Sequence, residues 1–353
     1  MHTLDNQHWP PDDLETLAAC EVCGGTDRPV WLHGLADRIF GVAPGRWQLR
    51  RCAGCGVAAL DPRPTEASIG RAYARYYTHD EAPERHFLVP GDRPDLPLKR
   101  ALHADYLNHY FGHRLAPALP GGRWLLGASA QRRARAGHTI RHLPAPVAAG
   151  ARLLDVGCGN GSFLRVARAL GFQAEGLEID GAAGRLAQQA GFAVFTGPLS
   201  AADFPQASFE HILLNHVVEH LHRPLQSLRL LRGWLRPGGR LWLQTPNLAS
   251  RGAARYGVHW RGMEPPRHLT LFDGPSLLAA LLAAGFERPA LLAPQRDAGF
   301  FIQQSEAIQA GCDPYQAGRP SAAQRRLARQ WNAASLADWG SAEAITVEAW
   351  RPA

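Results

Sequence analysis

The chain has 353 residues, 46% of them hydrophobic and 20% charged, an ordinary balance for one large α/β domain with a smaller module and enough apolar content for a real core. Its net charge of +7 rests almost wholly on arginine, since Lys99 is the single lysine; the imbalance reads as a G+C-rich coding bias rather than a device for binding nucleic acid. The amino terminus MHTLDNQHWPPDDLE has neither a cationic start nor an apolar run, and nowhere do 18 uncharged apolar residues follow one another, so a cytoplasmic protein without a transmembrane segment is expected.

Two C-x-x-C-G knuckles come first, Cys20-Glu-Val-Cys23-Gly24 and Cys52-Ala-Gly-Cys55-Gly56, with 28 residues between them. Four thiolates at this spacing suit one tetrahedral zinc ion, and a shell closed by four sulfurs leaves no position for water or substrate, which makes the expected role structural. The alternative is a disulfide or redox pair. Residues 30–32 and 47–51 read as short strands between the knuckles, giving a zinc-ribbon-like module over 1–64. Pro64 and Thr65 then open a helix bearing Tyr73, Tyr76 and Tyr77. That aromatic cluster is either core or a lid over substrate, with Tyr76 the candidate to test.

Residues 65–147 form a helical linker or lid region. Within it, residues 93–141 hold nine Arg or Lys against two acids. Such a stretch is ordinarily a solvated helical face, with a contact to phosphate groups or a membrane surface as the alternative.

From 148 to 353 strands alternate with helices, the pattern of a parallel sheet whose ligands sit at the carboxyl ends of the strands. The run ARLLDVGCGNGSFLRVARALG is a strand, a glycine turn and an amphipathic helix. Its glycines fall as G-x-G-x-G with Asp155 two residues before the first, and Glu178 ends a second strand 23 residues after Asp155. A carboxylate there is placed to accept both hydroxyls of a ribose. A third strand, 192–195, leads to Thr196-Gly-Pro-Leu199, a fourth, 208–215, ends in Asn215, and a fifth spans 240–244. The segment 343–350 alternates as a final antiparallel edge strand would.

LLDVGCGNGSFL followed by GLEID resembles the cofactor motif of class I S-adenosylmethionine-dependent methyltransferases. The resemblance runs from Cys20 to about Phe286 and implies a Rossmann-like α/β fold with a seven-stranded sheet, plus the small zinc-ribbon-like module. It implies a cofactor site made by Asp155, Gly157, Cys158, Gly159, Gly161, Glu178, Ile179, Leu199 and Asn215. Cys158 and Cys312 read as small side chains.

After the fourth strand, His216-Val-Val-Glu219-His220 places its two imidazoles at i, i+4 if the stretch is helical. It resembles the E-x-x-E-H segment of ubiquinone-type O-methyltransferases, where acid, acid and His hold magnesium; here His216 replaces the first acid, and a hard cation prefers carboxylate oxygen to imidazole. It also resembles deoxysugar C-methyltransferases carrying an amino-terminal zinc module, in which the Glu-His pair is the base region. The stretch Trp260-Arg-Gly-Met-Glu264-Pro265-Pro266-Arg267-His268-Leu269 is similar to the WRGLEPPRHL loop of a substrate-diverse group of the same class. Adjacent prolines exclude a helix or central strand there and leave an extended loop. Catalytic candidates are thus His216, Glu219, His220, His268 and Tyr76, with a near-neutral imidazole as base.

The resemblance implies methyl transfer to carbon or oxygen of a small molecule, a nucleotide-linked sugar or another secondary metabolite among the options. An RNA methyltransferase using the zinc module and basic segment is the second reading, although no aromatic-basic RNA motif is visible. A non-catalytic cofactor-binding protein is the third. Neither acceptor nor oligomeric state is legible.

Overall fold

Arg152–Val156 is buried at four of its five positions, which only a strand covered on both faces provides for such a run. In the computed structural model, which describes residues 8–74 and 84–353, it is one of seven strands in the main sheet. In chain order the strands are β1 (Leu14–Glu15), β2 (Val30–Leu35), β3 (Trp47–Arg51), β4 (Ala58–Leu60), β5 (Arg63–Pro64), β6 (Arg152–Val156), β7 (Gln173–Glu178), β8 (Ala193–Thr196), β9 (Phe209–Asn215), β10 (Leu235–Pro246), β11 (Thr270–Leu271), β12 (Glu287–Leu291) and β13 (Ala344–Trp350). The main sheet runs β12-β13-β10-β9-β6-β7-β8.

β6 pairs in parallel with β7 and β9, and β7 with β8. Val156 lies opposite both Leu177 and Leu214, so the glycine loop, Glu178 and Asn215 leave the sheet at one edge, where open α/β sheets bind ligands.

The last strand departs from expectation. β13 lies inside the sheet, between β12 and β10, and five of its seven residues, 344–347 and 349, are shielded. It is antiparallel to β10, since Arg351 bonds Gly238 and Gly239 while Glu343 bonds Asn247. The edge is β12, whose five residues include Pro289; a proline cannot donate to a ladder and is tolerated where one side faces no partner.

The chain divides into two compact units that cut across the linear segments 1–64, 65–147 and 148–353. One comprises residues 1–76, 216–230 and 243–349; the other comprises 77–215, 231–242 and 350–353. In the first unit the ribbon strands pair as β11-β4-β3-β2, with Ala58 opposite Leu271 and Ala59 opposite Thr270. The strand after the diproline loop therefore completes the zinc ribbon. The two also share one core, in which Trp9, Trp47 and Leu49 lie with Trp260, Met263 and Phe301.

The expected helix after Thr65 is a single 3-10 turn, Ile69–Tyr73; Tyr76 and Tyr77 lie outside the described residues. In the second unit, α1 (Pro97–Phe111), α2 (Gly122–Gly127) and α3 (Ala130–His138) precede the sheet. α1 is no simple solvated face, because Ala101, His103, Ala104, Tyr106 and Leu107 are buried in it. Burial lowers the pKa of both His103 and His113, whose ring nitrogens meet the carbonyls of Lys99 and Leu143 at 2.9 and 3.0 Å. Among the described residues no helix is long and apolar enough to cross a membrane.

Candidate active site

The glycine loop has the backbone its sequence requires. Gly157, Gly159 and Gly161 all have positive φ, and Gly159 has open space where a Cβ would project, so a ligand can approach the backbone there closely. Glu178 is braced at the loop: Gly159 N–H donates to Oε2 at 2.7 Å and Asp180 N–H to Oε1 at 2.9 Å. Burial raises the pKa of Glu178 despite these bonds. Asp155 is buried, and burial raises its pKa while Arg141, 2.5 Å from Oδ1, opposes the shift. Asp155 Oδ2 is buried with no hydrogen-bond partner among the described residues.

An adenosyl cofactor fits these features: an orphaned buried carboxylate oxygen, a second carboxylate ending β7, and a glycine backbone with open space at Gly159. Ile179 is 63% exposed beside Glu178, an apolar surface available to a flat ring, whereas Leu199 is buried. The Cys158 side chain turns inward and packs with Leu164 and Phe192, so only its backbone faces the loop. Gly176 makes room for it, since a Cβ there would approach Cys158 Sγ to 2.5 Å.

The four knuckle cysteines converge. Cys20 and Cys55 sulfurs are 3.6 Å apart, Cys23 and Cys52 3.4 Å, and one donor atom from each of the four lies within 4.8 Å of the others. Zn–S bonds of about 2.3 Å in a tetrahedron place sulfurs about 3.8 Å apart, so the cluster fits zinc. Gly24 and Gly56 take φ of 75° and 77°, and their N–H groups donate to the carbonyls of Cys20 and Cys52 at 2.8 and 2.9 Å. Chelation of the purified protein is expected to melt this ribbon before the rest. One zinc per chain by elemental analysis, lost together with early-melting signal, is the check; a metal-free protein of equal stability would contradict it.

The segment 216–220 is not an α-helix, so the i, i+4 geometry expected for His216 and His220 is absent. His216 takes φ 55° and Val218–His220 is one 3-10 turn. The turn instead brings His216 Nδ1 to 3.2 Å from Glu219 Oε1. Glu219 is fully shielded, its other oxygen accepts from Thr245 Oγ1 at 2.9 Å, and its carbonyl accepts from Leu269 N–H at 2.7 Å. Burial alone would raise the Glu219 carboxyl, but the neighbouring imidazoles, His216 first, bring it down to about 2.

The diproline loop closes on this turn. His220 Nδ1 lies 3.0 Å from the Arg267 carbonyl and 2.9 Å from the Tyr73 hydroxyl. His268 Nδ1 lies 2.8 Å from the Gly262 carbonyl. A carbonyl only accepts, so Nδ1 carries a proton in both rings. The rings meet edge to face, 4.8 Å between centroids. His268 is not the near-neutral base expected of it: burial lowers its pKa to about 4, Glu264 only partly opposing.

Glu219, His220 and His268 present donor atoms within 4.8 Å of one another. Two imidazole nitrogens and one carboxylate oxygen, the carboxylate already bonded to His216 and Thr245, are a poor match for magnesium, which takes oxygen ligands in octahedral geometry.

Behind the imidazoles lies a buried ionic chain. Arg267 is fully shielded and forks onto Asp37 at 2.5 and 3.1 Å. It also reaches Glu264 Oε1 at 3.0 Å and the Ala72 carbonyl at 2.8 Å. Glu264 bonds Arg261 in turn, and Arg261 meets the Tyr315 hydroxyl at 3.1 Å. Asp37 accepts from the N–H groups of Phe40, Val42 and Ala43; burial raises its pKa, yet Arg267 and these amides outweigh it and hold it below the usual range. Asp37 and Thr245 gave no signal in the sequence, and Tyr73 was legible only as one of an aromatic cluster.

These shifts predict acid sensitivity. A neutral buried His268 with a pKa of about 4 is disfavoured once the unfolded chain, near 6.5, binds the proton first. Its contribution is full above about 6.5 and falls as pH drops toward 4. Asp37 and Glu219, depressed in the fold, contribute above the ordinary carboxylate range and lose it as pH falls through their folded values. The His268 share of urea stability is expected to decline from pH 6.5 toward 4, and His268→Gln to flatten that part of the slope relative to wild type; an unchanged slope would show the imidazole is not responsible.

Comparison with known proteins agrees with this geometry. Residues 128–288 match the family model described as a methyltransferase domain. The chain is 32% identical over 146 residues to a ubiquinone biosynthesis O-methyltransferase of Xanthomonas campestris pv. campestris, covering 38% of this chain and 61% of that one. It is 33% identical over 178 residues to a tRNA U34 carboxymethyltransferase of Methylococcus capsulatus, covering 45% and 54%. The chain thus spans less than two thirds of the length of these relatives. A solved S-adenosylmethionine-dependent methyltransferase from Mesorhizobium loti aligns with a TM-score of 0.41 at 19% identity, over 64% of this chain and all of that one.

Proposed function

We propose that the protein transfers a methyl group from S-adenosylmethionine to an oxygen or carbon of a small-molecule acceptor, with a structural zinc ion in its ribbon. Asp155, Gly157 to Gly161, Glu178 and Ile179 hold the cofactor, Glu178 taking the ribose hydroxyls. His220 is the base: its ring is only half-buried, and Nδ1–H is fixed on a carbonyl, which leaves Nε2 free to accept the acceptor's proton. Glu219, His216 and Tyr73 orient that turn, and His268, buried and neutral, packs against it. Methyl transfer is a displacement at sulfonium carbon, so alignment and removal of one proton are the whole task of the protein.

The observation that carries this reading is the pairing of the orphaned Asp155 oxygen with the braced Glu178 carboxylate at the glycine loop. Glu178→Ala is expected to weaken S-adenosylmethionine binding by about 2 to 3 kcal/mol, the worth of charge-assisted hydrogen bonds. Titration calorimetry tests it, and unchanged affinity would refute the assignment. Radiolabelled methyl transfer to a panel of quinols, phenols and nucleotide sugars, with tRNA as the contrasting acceptor, then separates the substrate classes.

A further inference from the structure

Two stretches of the chain are strongly basic, 97–135 and 220–263, the second with eight Arg and no acid. Residues 97–135 hold seven Arg or Lys against a single acid, Asp105, while the whole chain carries only +7. What sets 97–135 apart is the apolar surface beside its cations. The same stretch holds five of the twelve large hydrophobic side chains left exposed among the described residues: Leu98, Tyr110, Leu119, Trp124 and Leu125.

The two features coincide in space. α2 lies along α1, with Gly122 against the Leu102 backbone and Gly127 against the Tyr110 hydroxyl, and Leu119 N–H donates to the Ala101 carbonyl at 3.0 Å. That packing leaves Trp124, 66% exposed, and Leu125, 46% exposed, pointing outward. The Arg123 guanidinium stacks on the Trp124 ring at 4.5 Å. Arg132 and Arg133 donate to the carbonyls of Leu125 and Gly127 at 2.8 and 2.6 Å, which sets two more cations at the end of the apolar tip.

We propose that this α1–α2–α3 surface docks the protein on an anionic lipid bilayer, Trp124, Leu125 and Leu119 entering the headgroup boundary and the arginines meeting lipid phosphate. Tryptophan favours that boundary because one end of its ring is apolar and the other polar. Basic side chains around an apolar tip match a surface that offers hydrocarbon and negative charge together. A second copy of the chain is a worse occupant, since a two-fold contact would press two net-positive faces together. Nucleic acid would match the charge, but the two aromatic rings are already engaged, Trp124 by Arg123 and Tyr110 by Tyr106 and His109, and Leu98, Leu119 and Leu125 offer no face on which a base can stack. Such docking would present the enzyme to acceptors dissolved in the membrane; the surface argument itself does not depend on the methyl-transfer reading.

The test is co-sedimentation of the full-length protein with vesicles of phosphatidylcholine alone and of phosphatidylcholine mixed with phosphatidylglycerol. Binding is expected only to the anionic vesicles and is expected to weaken with added sodium chloride. The double variants Trp124→Ser/Leu125→Ser and Arg132→Gln/Arg133→Gln should each lose about tenfold or more in partitioning, with circular dichroism and S-adenosylmethionine affinity unchanged. No binding to anionic vesicles at low salt, or equal binding by both variants, would overturn the proposal. It would equally fall if vesicles fail to bind while the Trp124 variant abolishes a dimer in sedimentation equilibrium, or while both variants abolish salt-dependent retention of tRNA.

Discussion

Arg267→Ala is expected to destabilise the protein by about 3 to 5 kcal/mol, the cost of removing one partner from a buried ionic pair. The size follows from what remains. Arg267 forks onto Asp37 and reaches Glu264, so truncation strands two shielded carboxylates, and the cavity adds to the loss. Arg267→Lys should be nearly as damaging, because a point charge cannot reproduce the two parallel bonds to Asp37. The double change Asp37→Leu/Arg267→Met should recover part of the loss, since an apolar pair of similar volume is often neutral. Urea unfolding of the zinc-loaded protein measures all three, with metal content checked separately. A loss below about 1 kcal/mol for Arg267→Ala would mean that the carboxylates find other partners or water. Because the Arg267 carbonyl also fixes the His220 ring, the Lys variant should in addition lose turnover relative to cofactor affinity.

The second large effect concerns the proton. His220→Ala should lower turnover about 10²- to 10⁴-fold, the usual contribution of a positioned general base, while leaving S-adenosylmethionine affinity unchanged. His220→Asn is the informative companion, since it keeps a donor toward the Arg267 carbonyl without a titrating nitrogen; it should be as inactive as the alanine variant. Tyr73→Phe should fall between them and wild type, removing only the hydroxyl 2.9 Å from His220 Nδ1. If His220→Asn retains near-full turnover, proximity alone carries the reaction. If His268→Gln proves the more damaging change to turnover at equal stability, the base has been placed on the wrong ring.

What the sequence determined by itself was local. The glycine loop, the acid before it and Glu178 were legible because a strand–turn–helix that must approach a ligand closely restricts side chains over a few residues. The four cysteines were legible because tetrahedral coordination fixes both their number and their spacing within each knuckle. The turn at His216 was misread, since helical spacing of two imidazoles says nothing about a left-handed backbone at the first of them. β12 was missed because five residues interrupted by Pro289 give no strand pattern.

Only the tertiary structure decided the rest. Asp37 and Arg267 stand 230 positions apart, and no local rule connects a carboxylate in the zinc ribbon to a guanidinium beside a diproline. Their pairing depends on β11 joining β4, a long-range strand contact that aligns one loop with the other. Burial then does what composition cannot: it takes a histidine with an ordinary sequence context and holds it neutral at His268, and it leaves Trp124 and Leu125 outside while closing over Tyr106 and Leu107. Charge and hydrophobicity are properties of residues, but desolvation and partnership belong to places in the fold.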